Sequence, residues 1–456
     1  MQRMTDKPSE PVAISVVNPR AAGLDIGSAE IWVAVPAECD PKPVRPFGTF
    51  TPDLCALADW LAACGVRTVA MESTGVYWIP IYELLERRGF EVYLVNARHI
   101  KNVPGRKSDV QDCQWIQRLH SFGLLSKSFR PAEEMVVLRA YLRQRAELIE
   151  HRAAHIQHMQ KALAQMNLQL TQVLKDITGV TGMQIIRAIV AGERDAVKLG
   201  QMRDPRCKHS SDEIAKALTG SYRAEHLFAL QQALSLYDAY TALLAECDAE
   251  IERQFSALKP THDEELPPLD PSDKRDSHSK NGPQYDARQL LYEQLGVDLV
   301  ALDGLNASSV TTLLSELGRD LKDFPTVKHF CSWLHLAPHN DISGGKVLRS
   351  RTLKAQNRAG QVFRLAARSV SRSQTAFGAF YRRMKARQGP KKAMVATAHK
   401  IARAFYYMLK NRQPYLGQSA EHAEAQERER EIARLTKKAH KLGFELVPPA
   451  APLVAS

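Results

Sequence analysis

The sequence predicts an α/β domain followed by a mostly α-helical region, and three observations carry that prediction. Between residues 20 and 130, short apolar runs alternate with stretches of 3-4 apolar spacing, the pattern of strands and helices in turn. From residue 132 onward the 3-4 spacing dominates, and two of its stretches are far longer than an ordinary globular helix. A polar, Pro-rich segment at 259–286, poor in aliphatic residues, separates the second long stretch from the C-terminal part and reads as a flexible linker.

Residues 1–19 read as a disordered arm. AGLDIGS, EIWVAVP and RPFGTF then make a three-strand meander with short turns. TPDLCALADWLAAC has a Thr-Pro start, helical spacing and a Gly just beyond, so it is a helix. RTVAME, VYWIPIYELLERRG and FEVYLVNA continue as strand, helix and strand, and NARHIKNVPGRKSD is a loop feeding a helix that opens at Asp109. Ligand sites in such sheets lie beyond the carboxyl ends of parallel strands. The long helices are expected near 132–170 and 223–258, either as coiled-coil or subunit-contact elements or as core helices of a bundle. LVALDGLNASSVTTLLSELG, with helix, Gly turn and helix, is similar to a helix-hairpin-helix that offers backbone amides to phosphate. FPTVKHFCSWLHL is an amphipathic helix, APHNDISGGKVLRSRTLKAQNRAG a Gly/Ser-rich basic loop, and helices follow near 359–374, 375–387 and 391–412. A charged tail runs from 416 to 456.

The chain has 456 residues, 44% hydrophobic and 25% charged, ordinary for a globular protein of two or three domains. Its 7 cysteines form no CxxC pair, so neither a disulfide framework nor a zinc knuckle is indicated, and a reducing cytoplasm is expected. The N-terminus lacks a signal-peptide core, and no stretch approaches membrane-span length, so no membrane partner is expected. The formal net charge is +12, but its distribution is uneven. Residues 342–420 carry 18 Lys and Arg and no Asp or Glu, leaving 44 of the 62 basic residues against all 50 acidic ones elsewhere. A solvated surface normally mixes both signs, so 79 residues without a carboxylate point to phosphate.

Four carboxylates stand at element ends: Asp25 in the first strand, Glu72 at the end of RTVAME, and Asp109 and Asp112 on the first turn of a helix. Acids so grouped repel one another unless a cation joins them, and carboxylate-bound divalent metal is the machinery of phosphodiester chemistry. Taken singly, Asp25 is a turn former and Asp109 or Asp112 a helix-start acid. DIGS also occurs in actin-like ATPases, but the second acidic hairpin and Gly-rich adenosine loop that a phosphotransferase needs are missing. Ser343 opens the carboxylate-free stretch between Ile342 and the Gly344-Gly345 pair, where a bare turn is the plain alternative to a nucleophile held against phosphate. G-x-S-x-G is absent, so nothing marks an esterase.

The segments GLDIGSAEIWVAV, AMESTGVYW, VNARHIKNVPGRKSDVQDCQWIQRL and FCSWLHLAPHNDISGGKVLRSRTLKAQNRAG resemble those of the DEDD transposases of the insertion-sequence 110 family, in the family's order over most of residues 20–415. The resemblance implies a RuvC-like domain of RNase H-like fold at 20–130, a long helical, coiled-coil-like region at 131–258 and a C-terminal transposase domain at 287–415. It implies that Asp25, Glu72, Asp109 and Asp112 are catalytic and hold Mg²⁺ (or Mn²⁺), with Ser343 as nucleophile; Ser350 stands seven residues on. It further implies recombination of donor and target DNA guided by a structured bridge RNA, in a homo-oligomer, dimer or tetramer, of the bacterial cytoplasm and nucleoid. Lys346, Arg349, Arg351, Lys354 and Arg358 are expected to hold nucleic-acid backbone. The segment before the serine block is longer than in compact members. Two readings compete with recombination: a RuvC-like junction nuclease that uses metal-activated water, and a nucleic-acid-binding protein without activity.

Overall fold

The computed structural model describes residues 15–73, 75–96, 108–263, 265–269, 280–353, 357–415 and 420–446. The chain divides into two compact units, Met1–Arg130 and Pro131–Ser456.

The first unit holds β1 (Ala21–Ile26), β2 (Glu30–Ala34), β3 (Val44–Gly48), α1 (Thr51–Ala63), β4 (Thr68–Glu72), α2 (Trp78–Arg87), β5 (Glu91–Val95) and α3 (Asp109–Ser121). The sheet order is β3-β2-β1-β4-β5. β1 is antiparallel to β2 and parallel to β4, and β4 is parallel to β5. The predicted meander and the alternation after it are therefore present. Period-2 alternation sorts the residues of β1 and β4 between two cores. Ala22, Leu24, Val69 and Met71 join α1 and α2 on one face, while Ala70 joins Ile116 of α3 on the other.

α3 lies unusually close to β1, and Gly23 is the reason. A Cβ built there would meet Gln117 N at 2.2 Å and the Cys113 carbonyl at 2.4 Å, both of them α3 backbone. The far end of α3 is tied as well. His120 is buried, its Nε2 stands 2.8 Å from Thr68 Oγ1, and its ring lies 4.6 Å from that of Tyr93. Burial pushes its pKa down to about 4, so it anchors the helix as a neutral imidazole. The amides of Val17 and Asn18 donate to the Ser121 carbonyl, which docks the last described residues of the N-terminal arm.

In the second unit α4 (Glu133–Gln165) and α9 (Ala224–Ser256) are the two long helices. They run antiparallel: Arg145 pairs with Asp248 at 2.5 Å, and further along α4 His155 stacks on Tyr240. One end of the pair is covered by α5 (Leu170–Val173), α6 (Val180–Val190), α7 (Ala196–Gln201) and α8 (Ser211–Ala217), which close a core around Met159, Leu163, Ile186 and Leu230. The helices near 132–170 and 223–258 are thus present, each slightly shorter than its sequence pattern.

The C-terminal part comprises α10 (Ala287–Leu295), α11 (Ala307–Leu317), α12 (Val327–Trp333), the hairpin β6 (His339–Ser343) and β7 (Lys346–Arg351), α13 (Arg358–Val370), α14 (Ala376–Gln388), α15 (Pro390–Asn411) and α16 (Ala420–Lys441). Its core is aromatic: Phe330, Phe363, Phe405 and Tyr406 meet with ring centroids 5.4 to 6.5 Å apart. Gly389, at φ 81°, ends α14, and Pro390 starts α15.

Two expectations need correction. The helix-hairpin-helix reading fails at its first helix, because Leu299–Ala301 is a three-residue 3₁₀ turn. The Gly304 turn is packed rather than open, since a Cβ there would meet the Ala366 carbonyl at 2.7 Å. The Gly/Ser-rich loop around Ser343 is instead a two-stranded hairpin. The segment 259–286 is held at both described ends: Thr261 bonds the Gln294 carbonyl, and Arg145 donates to the carbonyls of Asn281 and Gly282.

Gly23→Ala is expected to force α3 away from β1 and to lower stability by about 1–3 kcal/mol. Urea denaturation followed by circular dichroism reads this, and a wild-type midpoint would refute the close contact.

Candidate active site

Asp25 and Glu72 close neighbouring parallel strands. The register runs from Ala21↔Thr68 to Leu24↔Met71, so Asp25 and Glu72 follow side by side at one sheet edge. By alternation both share the face of Gly23 and Ala70, the face that α3 covers. Asp109 and Asp112 occupy the first turn of that same helix, where Ser108 caps the N-terminus by accepting from the Gln111 amide at 3.4 Å. The helix start, with its unpaired N–H groups, favours carboxylates. Strand parity and one close helix therefore put all four acids on one side of one edge.

They sense each other there. Asp25 is partly buried, and its pKa is raised from 3.8 to about 6, first by desolvation and then by the charges of Asp112, Asp109 and Glu72. Cys113, buried beneath, donates to the Val110 carbonyl and is pushed up to about 12 by burial and by Asp25, so it stays a neutral thiol. Among the described residues, no three His, Cys, Asp or Glu side chains stand close enough to form a ready metal-ligand set. The grouping is one of interacting charges. Its donor chemistry still fits a hard divalent cation, because the set is made of carboxylate oxygens alone and Asp25 ionises reluctantly without one.

Ser343 lies in the other unit, at the end of β6. It pairs across the ladder with Lys346, and Gly344 (φ 54°) and Gly345 (φ 75°) make the two-residue turn between them. Both central residues need positive φ, so a Gly-Gly turn suits this hairpin. Every residue of β6 and β7 is exposed, Lys346, Arg349 and Arg351 included. Arg358 is elsewhere: it opens α13 and lines a small crevice with Arg143, Arg145 and Thr311. Lys354 lies outside the described residues. Two contributors escaped the sequence reading. Gly23 left no mark beyond being a glycine in a strand, a known sign of close backbone approach. The hairpin had a legible sign, Gly-Gly between alternating residues.

An acidic sheet edge together with a long carboxylate-free basic region fits an enzyme that works on nucleic-acid strands. The family model described as "Transposase", of the DEDD type of IS110, matches residues 22–168. The model described as "Transposase IS116/IS110/IS902 family" matches residues 299–382. The chain belongs to the IS110 family of transposases and is a DNA transposase. No curated protein matches it significantly. No helix among the described residues is long and apolar enough to cross a membrane.

A carboxyl raised to about 6 resists ionisation, so the folded state is penalised where Asp25 is charged. The penalty is absent below pH 4, grows between pH 4 and 6, and is complete above. It is at most ~3 kcal/mol, and solvent access reduces it to about 1–2 kcal/mol. Asp25→Asn, melted in EDTA, is expected to be more stable than wild type at pH 7.5 and equal to it at pH 4. Equal melting temperatures at both values would show that neither burial nor the neighbouring acids hold Asp25 back from ionising.

Proposed function

We propose that this transposase exchanges strands through a covalent serine link, and that Asp25, Glu72, Asp109 and Asp112 work with Ser343 as the two halves of its chemistry. The observation that carries the reading is the position of Ser343: exposed at the tip of a hairpin, directly across from Lys346, at the start of 79 residues without a carboxylate. Cross-strand partners lie about 4.5–5.5 Å apart at Cβ, so an ammonium stands beside the hydroxyl wherever the hairpin meets phosphate.

In the first step Ser343 Oγ attacks phosphorus in the donor or target DNA and gives up its proton. The P–O3′ bond breaks, the 3′-hydroxyl leaves protonated, and the 5′-phosphate remains on the serine. In the second step a 3′-hydroxyl from the other duplex attacks that phosphoserine link, and Ser343 recovers its proton. One phosphodiester is broken and one made, so no ATP is consumed. Mg²⁺ (or Mn²⁺) held by the four carboxylates would polarise a phosphate oxygen and stabilise the leaving oxygen. Lys346 would neutralise charge on the attacked phosphate.

The first unit is RNase H-like and RuvC-like in this reading. Its five-stranded order β3-β2-β1-β4-β5, one antiparallel pair followed by parallel strands, supports that, as does the acidic edge at the strand ends. Partner choice by a bridge RNA that pairs with both DNAs, and a homo-oligomer organised by α4 and α9, complete the proposal. The RNA rests on the family resemblance alone, and the oligomer on that resemblance and on the length of these helices, 33 residues each.

The test reconstitutes the purified protein with RNA transcribed from the flank of its gene and with two labelled duplexes. Wild type is expected to give protein–DNA adducts that resist denaturation, and Ser343→Ala none. Asp109→Ala should lower joining in magnesium by at least 100-fold. Adducts with Ser343→Ala would overturn the nucleophile. Cleavage without any adduct would favour the junction-nuclease reading, and full joining by Asp109→Ala would remove the metal assignment.

A further inference from the structure

The ladder decides which way each hairpin residue faces. Ser343 pairs with Lys346, Ile342 with Val347, Asp341 with Arg349, Asn340 with Ser350 and His339 with Arg351. Every second residue of β6 shares a face, so His339, Asp341 and Ser343 look one way. Cross-strand partners share a face too, so Lys346, Arg349 and Arg351 look the same way.

Alternation along β7 alone would not produce this. Counted from Lys346, it would place Leu348 and Ser350 beside the serine and turn Arg349 and Arg351 to the back. The register shift between Asp341 and Ile342 leaves Leu348 as an extra residue opposite no partner, and the phase of β7 reverses there. Leu348 is 72% exposed. The opposite face carries Ile342, Val347, Asn340 and Ser350, and no charge. The one carboxylate on the charged face, Asp341, is drawn along its own strand to His339, with Oδ1 3.4 Å from Nδ1.

We propose that the hairpin is a one-sided phosphate strip, phased by the bulge at Leu348. Lys346 takes the phosphate beside Ser343, and Arg349 and Arg351 take the phosphates that follow along the same DNA strand. Rungs that share a face are about 6.6–6.8 Å apart, so the three cations form a line. Such a line grips backbone, not bases, and carries no sequence preference. The role of Lys346 rests on the reading of Ser343 as nucleophile; the arginine strip stands apart from it.

A phase test in the full-length protein separates this strip from a merely basic surface. Inserting one Thr between Asp341 and Ile342 gives Leu348 a partner, restores a regular ladder and turns Arg349 and Arg351 to the back. Deleting Leu348 also gives a regular ladder but leaves both arginines on the serine's face. Binding to an end-labelled duplex of arbitrary sequence is measured against salt, where each phosphate contact contributes about 0.9 to the slope of log K on log salt. The insertion is expected to reduce the slope by about 1.8, as does Arg349→Ala/Arg351→Ala, and the deletion to keep the wild-type slope. An insertion with the wild-type slope, or a deletion as damaging as the insertion, overturns the strip. Ser343→Ala should leave the slope unchanged, so loss of its adduct function and loss of the strip are read separately.

Discussion

The contact between Gly23 and α3 is the constraint on which the acidic edge depends. Asp25 and Glu72 are fixed by strand register, but Asp109 and Asp112 reach them only because their helix lies on β1 with no side chain between. A single Cβ at Gly23 would collide with the α3 backbone. His120 secures the other end of the helix against Thr68 and Tyr93. One glycine and one buried neutral histidine thus set the reach of two carboxylates that neither of them touches.

Charge is arranged in opposite senses in the two units. The first concentrates carboxylates until one of them holds a proton at about pH 6, a folded state that strains against itself. The second clears carboxylates from 79 residues and presents cations on an exposed hairpin. Each arrangement is unfavourable alone: like charges repel in both. Each becomes favourable with a partner of opposite sign, a cation for the first and a phosphate backbone for the second. DNA is the partner of a transposase, and a divalent ion is the partner proposed for the acidic edge.

Much of this was legible in the sequence. Asp25 and Glu72 sit at the ends of strands whose apolar runs are unambiguous, and Asp109 and Asp112 precede a helix with clear spacing. The long helices declared themselves by sheer length. What was not legible depends on pairing or on packing at a distance. In the sequence, glycine and serine outweigh the alternation that marks the hairpin at 339–351. Its bulge has no sequence mark at all, since only the partner strand makes Leu348 supernumerary. The Leu299–Ala301 turn has the apolar spacing of a helix, but Leu299 and Val300 are buried by tertiary contact, not by helical periodicity.

The two ends of the polar segment after α9 are moored separately. Near 261 the chain is fastened to the last turn of α10, and near 281 to Arg145, whose guanidinium also grips the buried Asp248 between the long helices. Lengthening a loop between fixed points adds little free energy, about 0.6 kcal/mol per doubling. Changes of sequence between residues 269 and 280 are therefore expected to stay local, because the mooring at Arg145 belongs to a buried ion pair.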